Sequence, residues 1–112
     1  MANKVTPTPY FENKFKRLSK KFRSLANDLL ALEDFLVADP TLGESLGAGI
    51  YKIRLANKDK SKGKSGGFRV ITYLVREKED ENEIFLITIY DKSEEQNILK
   101  SDLLKLINAI FD

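Results

Sequence analysis

The chain has 112 residues, 42% hydrophobic and 32% charged, with a formal net charge of +2, a composition that suits one soluble domain with its own core. It contains no cysteine and no histidine, which excludes a disulfide framework, thiolate chemistry and Ser–His or Cys–His nucleophile pairs, and argues against a zinc site. The opening MANKVTPTPYF lacks the apolar run of a signal peptide and no stretch is long enough to cross a membrane, so a cytoplasmic protein is expected.

Lys4-Val5-Thr6 reads as a short first strand. Thr8 then has the chemistry of an N-cap, with Pro9 at the first helical position and Glu12 in the first turn. Tyr10, Phe11, Phe15, Leu18 and Phe22 keep helical spacing, which predicts an amphipathic helix from Pro9 to about Lys21. Ser24 reads as the N-cap of a second helix with the stripe Leu25, Leu29, Leu32 and Leu36, stopped near Ala38 by Pro40. The two form a helical hairpin. Thr41 to Gly49, with Gly43, Gly47 and Gly49, reads as a loop.

Three strands are predicted next. Ile50–Leu55 alternates, with Tyr51, Ile53 and Leu55 on one face and Lys52 and Arg54 on the other. Phe68–Val75 is apolar on both faces, as a central strand should be. Arg76 to Glu83 reads as a charged turn, and Ile84–Tyr90 as the third strand of an antiparallel meander. Ser101 reads as the cap of a short helix carrying Leu103, Leu104, Leu106, Ile107 and Ile110. The expected fold is therefore α+β: a helical hairpin on a small antiparallel sheet of three to four strands, with a C-terminal helix, in one domain over residues 1–112. Phe11, Phe15, Phe22, Phe35, Phe111 and Tyr73 are expected in the core.

Charge is segregated along the chain. Residues 1–25 carry Lys4, Lys14, Lys16, Arg17, Lys20, Lys21 and Arg23 against Glu12 alone, whereas residues 26–49 carry only acids. Residues 50–70 are basic again. Between the first two strands of the meander, Lys58, Lys60, Lys62 and Lys64 face only Asp59, so this loop repels itself and invites a polyanion. Lys52 and Arg54 alone fit a solvated strand face. Arg69, just past Gly67, lies near the end of the first of these strands once the two pair. Three cations from neighbouring strands then converge, which suggests a phosphate site.

Gly66 and Gly67 either permit positive φ at a hairpin end or let a backbone or base approach closely. The GxxxxGK[ST] spacing of a P-loop is absent. Tyr90 and Lys92 share a face by the period of two. Tyr90 offers a ring for base stacking or else a core aromatic, and Lys92 offers another phosphate contact. The basic face of the first helix either extends a nucleic-acid footprint or is simply solvated.

The order of elements resembles the RelE/ParE superfamily of toxins from type II toxin–antitoxin systems. Gly49-Ile50-Tyr51-Lys52-Ile53-Arg54, then Gly63 to Ile71, then Ile89-Tyr90-Asp91-Lys92-Ser93 with Asn97-Ile98, is similar to its RelE/HigB branch over nearly the whole chain. The resemblance implies a metal-independent, cofactor-free mRNA interferase that cuts messenger RNA on the ribosome through attack of the 2′-hydroxyl and a 2′,3′-cyclic phosphate. It also implies a cognate antitoxin that covers the basic groove or displaces the C-terminal helix. Carried over by position, the catalytic cations are Lys52, Arg54, Arg69 and Lys92, with Tyr90 beside them; Lys58, Lys60, Lys62, Lys64, Gly66 and Gly67 would contact RNA. Best-studied RelE members place a tyrosine shortly after the last cation, and the corresponding Ser93-Glu94-Glu95-Gln96-Asn97-Ile98 has none. Guanidinium holds its proton, so Lys52, Lys64 or Lys92 are the acid–base candidates. A ParE-like inhibitor of DNA gyrase and a non-catalytic nucleic-acid-binding module are the alternative readings.

Overall fold

The computed structural model describes residues 2–59, 67–78, 80–93 and 98–111. The elements are β1 (Ala2–Pro7), α1 (Pro9–Lys21), α2 (Leu25–Ala38), β2 (Glu44–Gly47), β3 (Ile50–Leu55), β4 (Phe68–Lys78), β5 (Glu81–Asp91) and α3 (Lys100–Phe111). They build a sheet in the order β1-β5-β4-β3-β2. β1 runs parallel to β5 and the other neighbours are antiparallel. No helix among the described residues is long and apolar enough to cross a membrane.

Each face of the sheet has its own core. Ile53, Leu55, Phe68, Val70 and Leu86 lie under α1 and α2, where they meet Phe11, Leu25, Leu32 and Leu36. Ile50, Ile71 and Ile87 point the other way, against Leu103 and Ile107 of α3. β4 and β5 are inner strands covered on both faces, so their long apolar runs are what burial demands. On β3 the alternation sends Ile53 and Leu55 into the first core, leaving Lys52 and Arg54 on the α3 side.

The start of α1 joins helix to sheet. Thr8 Oγ1 accepts the Phe11 N–H at 3.2 Å as an N-cap, and its hydroxyl donates to the Leu86 carbonyl at 2.8 Å. Ser24 sits at the N-cap position of α2 but makes no capping bond. Its N–H and hydroxyl both donate to the Asp59 carboxylate, at 2.9 and 2.8 Å. Asn57 Nδ2 adds bonds to Ser24 Oγ (3.0 Å) and Asp28 Oδ2 (2.6 Å). The end of β3 is thereby clamped to the turn between α1 and α2.

Several expectations are corrected. The antiparallel meander is present as β3, β4 and β5, but the sheet has five strands rather than three to four and is mixed, because β1 joins it parallel to β5 and β2 pairs along β3. Within the expected loop at 41–49, Glu44–Gly47 forms an edge strand, because positive φ at Gly47, Ala48 and Gly49 folds it back onto β3 as a tight hairpin. The charged run 76–83 is mostly strand: β4 and β5 continue as a ladder in which Lys78 opposes Glu81. β1 flanks this stretch along Glu81–Glu83, with Lys4 Nζ 3.8 Å from Glu83 and Asn82 Nδ2 donating to Asn3 Oδ1 at 2.9 Å. Ser101 lies inside α3, which begins at Lys100. Phe35 is 64% exposed, because the stripe α2 buries is Leu25, Leu32 and Leu36 and Phe35 falls outside it. Phe111, also expected in the core, stays exposed at the last turn of α3, with its ring against Tyr73 and Phe85.

Thr72 is fully buried and its Oγ1 has no hydrogen-bond partner among the described residues. A buried hydroxyl in that state costs stability. Thr72→Val, nearly isosteric, should therefore stabilise the fold by about 1 kcal/mol, seen as a higher midpoint in thermal or urea unfolding.

Candidate nucleic-acid interface

Strand register assembles a basic row. Arg54 on β3 is paired with Arg69 on β4, and Arg69 with Tyr90 on β5. Directly opposed residues of antiparallel strands share a face, with Cβ atoms about 4.5–5.5 Å apart. Lys52 lies two residues back on the same face, opposite Ile71.

Two devices bring Lys92 to this row. Gly67 adopts φ +73°, and a Cβ there would stand 2.5 Å from the Leu55 carbonyl oxygen, so only glycine lets β4 begin this close to the end of β3. Its own carbonyl accepts the Lys92 N–H at 3.1 Å. Past the end of β5, Asp91 Oδ1 accepts the Ser93 N–H (2.9 Å) and hydroxyl (2.7 Å), an Asx turn that bends the chain at Lys92. Arg54, Arg69 and Lys92 consequently line one cavity of about 740 Å³.

The cations differ in their surroundings. Arg54 is exposed and Lys92 half-buried, and neither makes an ion pair with a described residue. Lys52 Nζ lies 3.8 Å from Glu44. Arg69 is only 6% exposed, and its Nη1 donates to the Phe68 carbonyl at 3.3 Å. Tyr90 is 3% exposed and belongs to the cluster beneath α3, so its ring is closed to a stacking base in this arrangement. Lys58 is exposed. Lys60, Lys62, Lys64 and Gly66 lie outside the described residues.

Part of the site escaped the sequence reading. The cavity opens at the edge of β3, where Ile53–Leu55 run past the end of β2, and α2 supplies its opposite wall through Asp28, Leu32 and Phe35. Those positions keep the i, i+4, i+7 spacing of one helix face, a readable signal, but their distance from β3 is a tertiary fact. Asp59 was expected to oppose the loop lysines; its carboxylate is instead engaged by Ser24. The Ser24 N–H and hydroxyl hold its pKa below the ordinary carboxylate value, with a smaller contribution from Lys58.

The family described as the RelE toxin of the RelE/RelB toxin–antitoxin system matches residues 10–109. Among solved structures, the free state of a double arginine-to-alanine mutant of the E. coli toxin RelE matches with a TM-score of 0.61 at 15% sequence identity. The match covers 99% of this chain and 100% of that one. At that identity the likeness is one of fold.

Two consequences are measurable. Gly67→Ala forces a left-handed alanine against the Leu55 carbonyl and should cost at least about 1–2 kcal/mol in chemical denaturation. The Asp59 clamp works in the charged state: with the folded pKa depressed, its contribution is present above the ordinary carboxylate pKa and is lost as pH falls through the lower folded value. In an NMR titration Asp59 should show that depressed midpoint, returning toward the ordinary value in Ser24→Ala.

Proposed function

The chain belongs to the RelE toxin family, and we propose that it is a cytoplasmic endoribonuclease that cuts messenger RNA on the ribosome and is restrained by a cognate antitoxin. The observation that carries this reading is the row itself. Arg54 and Arg69 stand at paired positions on neighbouring strands and line one cavity with Lys92. Of the carboxylates lining that cavity, Asp28 accepts a hydrogen bond from Asn57 through Oδ2, and Glu44 lies 3.8 Å from Lys52, a cation of the same cavity. Like charges placed directly opposite destabilise a sheet, and a phosphodiester between them removes the conflict.

RNA carries its own nucleophile. The 2′-oxygen attacks the adjacent phosphorus as the P–O5′ bond breaks, leaving a 2′,3′-cyclic phosphate and a 5′-hydroxyl. One proton must leave the 2′-oxygen and one must reach O5′. Arg54 and Arg69 suit the charge that grows on the non-bridging oxygens, since guanidinium stays protonated and grips phosphate with two donors. Lys92, half-buried at the cavity, is the group we assign to proton transfer, with Lys52 as the second candidate. Tyr90, enclosed beside Arg69, acts as a positioning residue that fixes the arginine's place in the row.

Arg54→Ala and Arg69→Ala should each reduce RNA cleavage by roughly 100-fold or more, as expected when one preorganised donor to a developing oxyanion is removed. Circular dichroism should remain that of the parent, and Arg69→Lys keeps a cation where burial makes alanine costly. The test is pulsed expression in a bacterium with mapping of transcript 5′ ends. Codon-spaced cuts that vanish in Arg69→Ala support the reading. A DNA damage response without cuts supports gyrase inhibition, and the absence of both supports a binding module.

A further inference from the structure

We propose that the cavity at the open edge of β3 seats the base of a nucleotide flanking the cleaved phosphate, and that Asp28 with the main chain of Arg54 reads that base in favour of one bearing an exocyclic amino group. This rests on the endoribonuclease reading and names the substrate feature that the same site selects. The cavity is lined by charged and apolar groups together: Arg54, Arg69 and Lys92 among the first, Leu32, Leu42 and Phe35 among the second. Its volume, about 740 Å³, falls in the range of small-molecule sites, roughly 300–1,000 Å³. A ribose-phosphate chain gripped by the cations leaves a neighbouring base beside the apolar lining.

The polar groups at the cavity have a definite sense. β2 pairs with β3 only over Ile50–Lys52. The Lys52 carbonyl faces that edge, since a Cβ on Gly43 would lie 2.6 Å from its oxygen. By the alternation of a strand, the N–H and C=O of Arg54 point the same way, and no described strand pairs with them there. They offer one donor and one acceptor toward the cavity. Across it, Asp28 Oδ2 accepts from Asn57, while Oδ1 accepts none of the hydrogen bonds among described residues. A free carboxylate oxygen welcomes the amino group of adenine, cytosine or guanine and repels the carbonyls on the edge of uracil. Phe35, 64% exposed on the same helix face, presents a ring on which a base can stack. Between the end of the β2 pairing at Lys52 and the end of β3 at Leu55, Arg54 is the one described residue with its main chain turned outward, too short a ladder to hold an added peptide strand, whereas a single base needs no more than that.

The experiment is the mapping of cut sites in cells expressing wild type, Asp28→Asn, Asp28→Ala or Phe35→Ala, with thermal midpoints recorded for each. Wild type should show uracil depleted at one position flanking the cut. Asp28→Asn, whose amide can donate to a carbonyl, should admit uracil there, and Asp28→Ala should flatten the preference. Phe35→Ala should slow cleavage about tenfold, the size of one lost base-stacking contact, with an unchanged midpoint. Cuts by wild type with no base depleted, or a preference identical in Asp28→Asn, would overturn the inference while leaving the ribonuclease reading intact. So would variants that cut normally but fail to bind the antitoxin, which would make the cavity a protein-docking site. Absence of any cut by wild type would overturn the ribonuclease reading, and this inference with it.

Discussion

The pairing of Arg54 on β3 with Arg69 on β4 is the constraint around which the basic site is arranged. Left to themselves, directly opposed like charges on a sheet cost up to about 1 kcal/mol per pair. The fold nevertheless enforces the pairing from several directions. Ile53 and Leu55 commit β3 to the core under α1 and α2, which turns Lys52 and Arg54 to the other side. Phe68 and Val70 do the same for β4, which turns Arg69 to meet Arg54. A slip of one residue in β3 would turn Arg54 into the core under α1 and α2 and send Ile53 and Leu55 to the other face, so the hydrophobic core holds the charges in register.

The remaining parts of the site are held by backbone devices. Gly67 allows β4 to start against the carbonyl of Leu55, and its own carbonyl anchors Lys92. Asp91 supplies the turn that carries Lys92 off the end of β5. Asp59 and Asn57 pin the far end of β3 to the start of α2. That clamp also brings the Asp28–Phe35 face of α2 to the strand edge, so one cavity joins basic and apolar side chains.

Much of this was legible in the residues, for identifiable reasons. Thr8, Pro9 and Glu12 mark the start of α1 because orphan N–H groups need an acceptor and proline needs a first-turn position. The strict alternation of Ile50–Leu55 marks both a strand and its two faces. Convergence of Arg54 with Arg69 followed from the shortness of Gly67 as a join. β2 was not legible, since Glu44–Gly47 holds a single large apolar residue, Leu46, and owes its strand to the positive-φ turn after it. The parallel pairing of β1 with β5 joins segments about eighty residues apart in sequence, which no local pattern records. The cavity was missed for the same reason: Phe35 looks like a core aromatic until the depth of the Leu25, Leu32 and Leu36 stripe is known.

The central claim is that Arg54, Arg69 and Lys92 form one anion site. It is tested most directly by the salt dependence of affinity for a single-stranded RNA, compared between wild type and Arg54→Ala, Lys92→Ala and the double variant. A shared phosphate-gripping site predicts a slope of log K against log salt that becomes shallower by about 0.7 for each contact removed, and a double variant that departs from the sum of its singles. Slopes and affinities indistinguishable from wild type would contradict it.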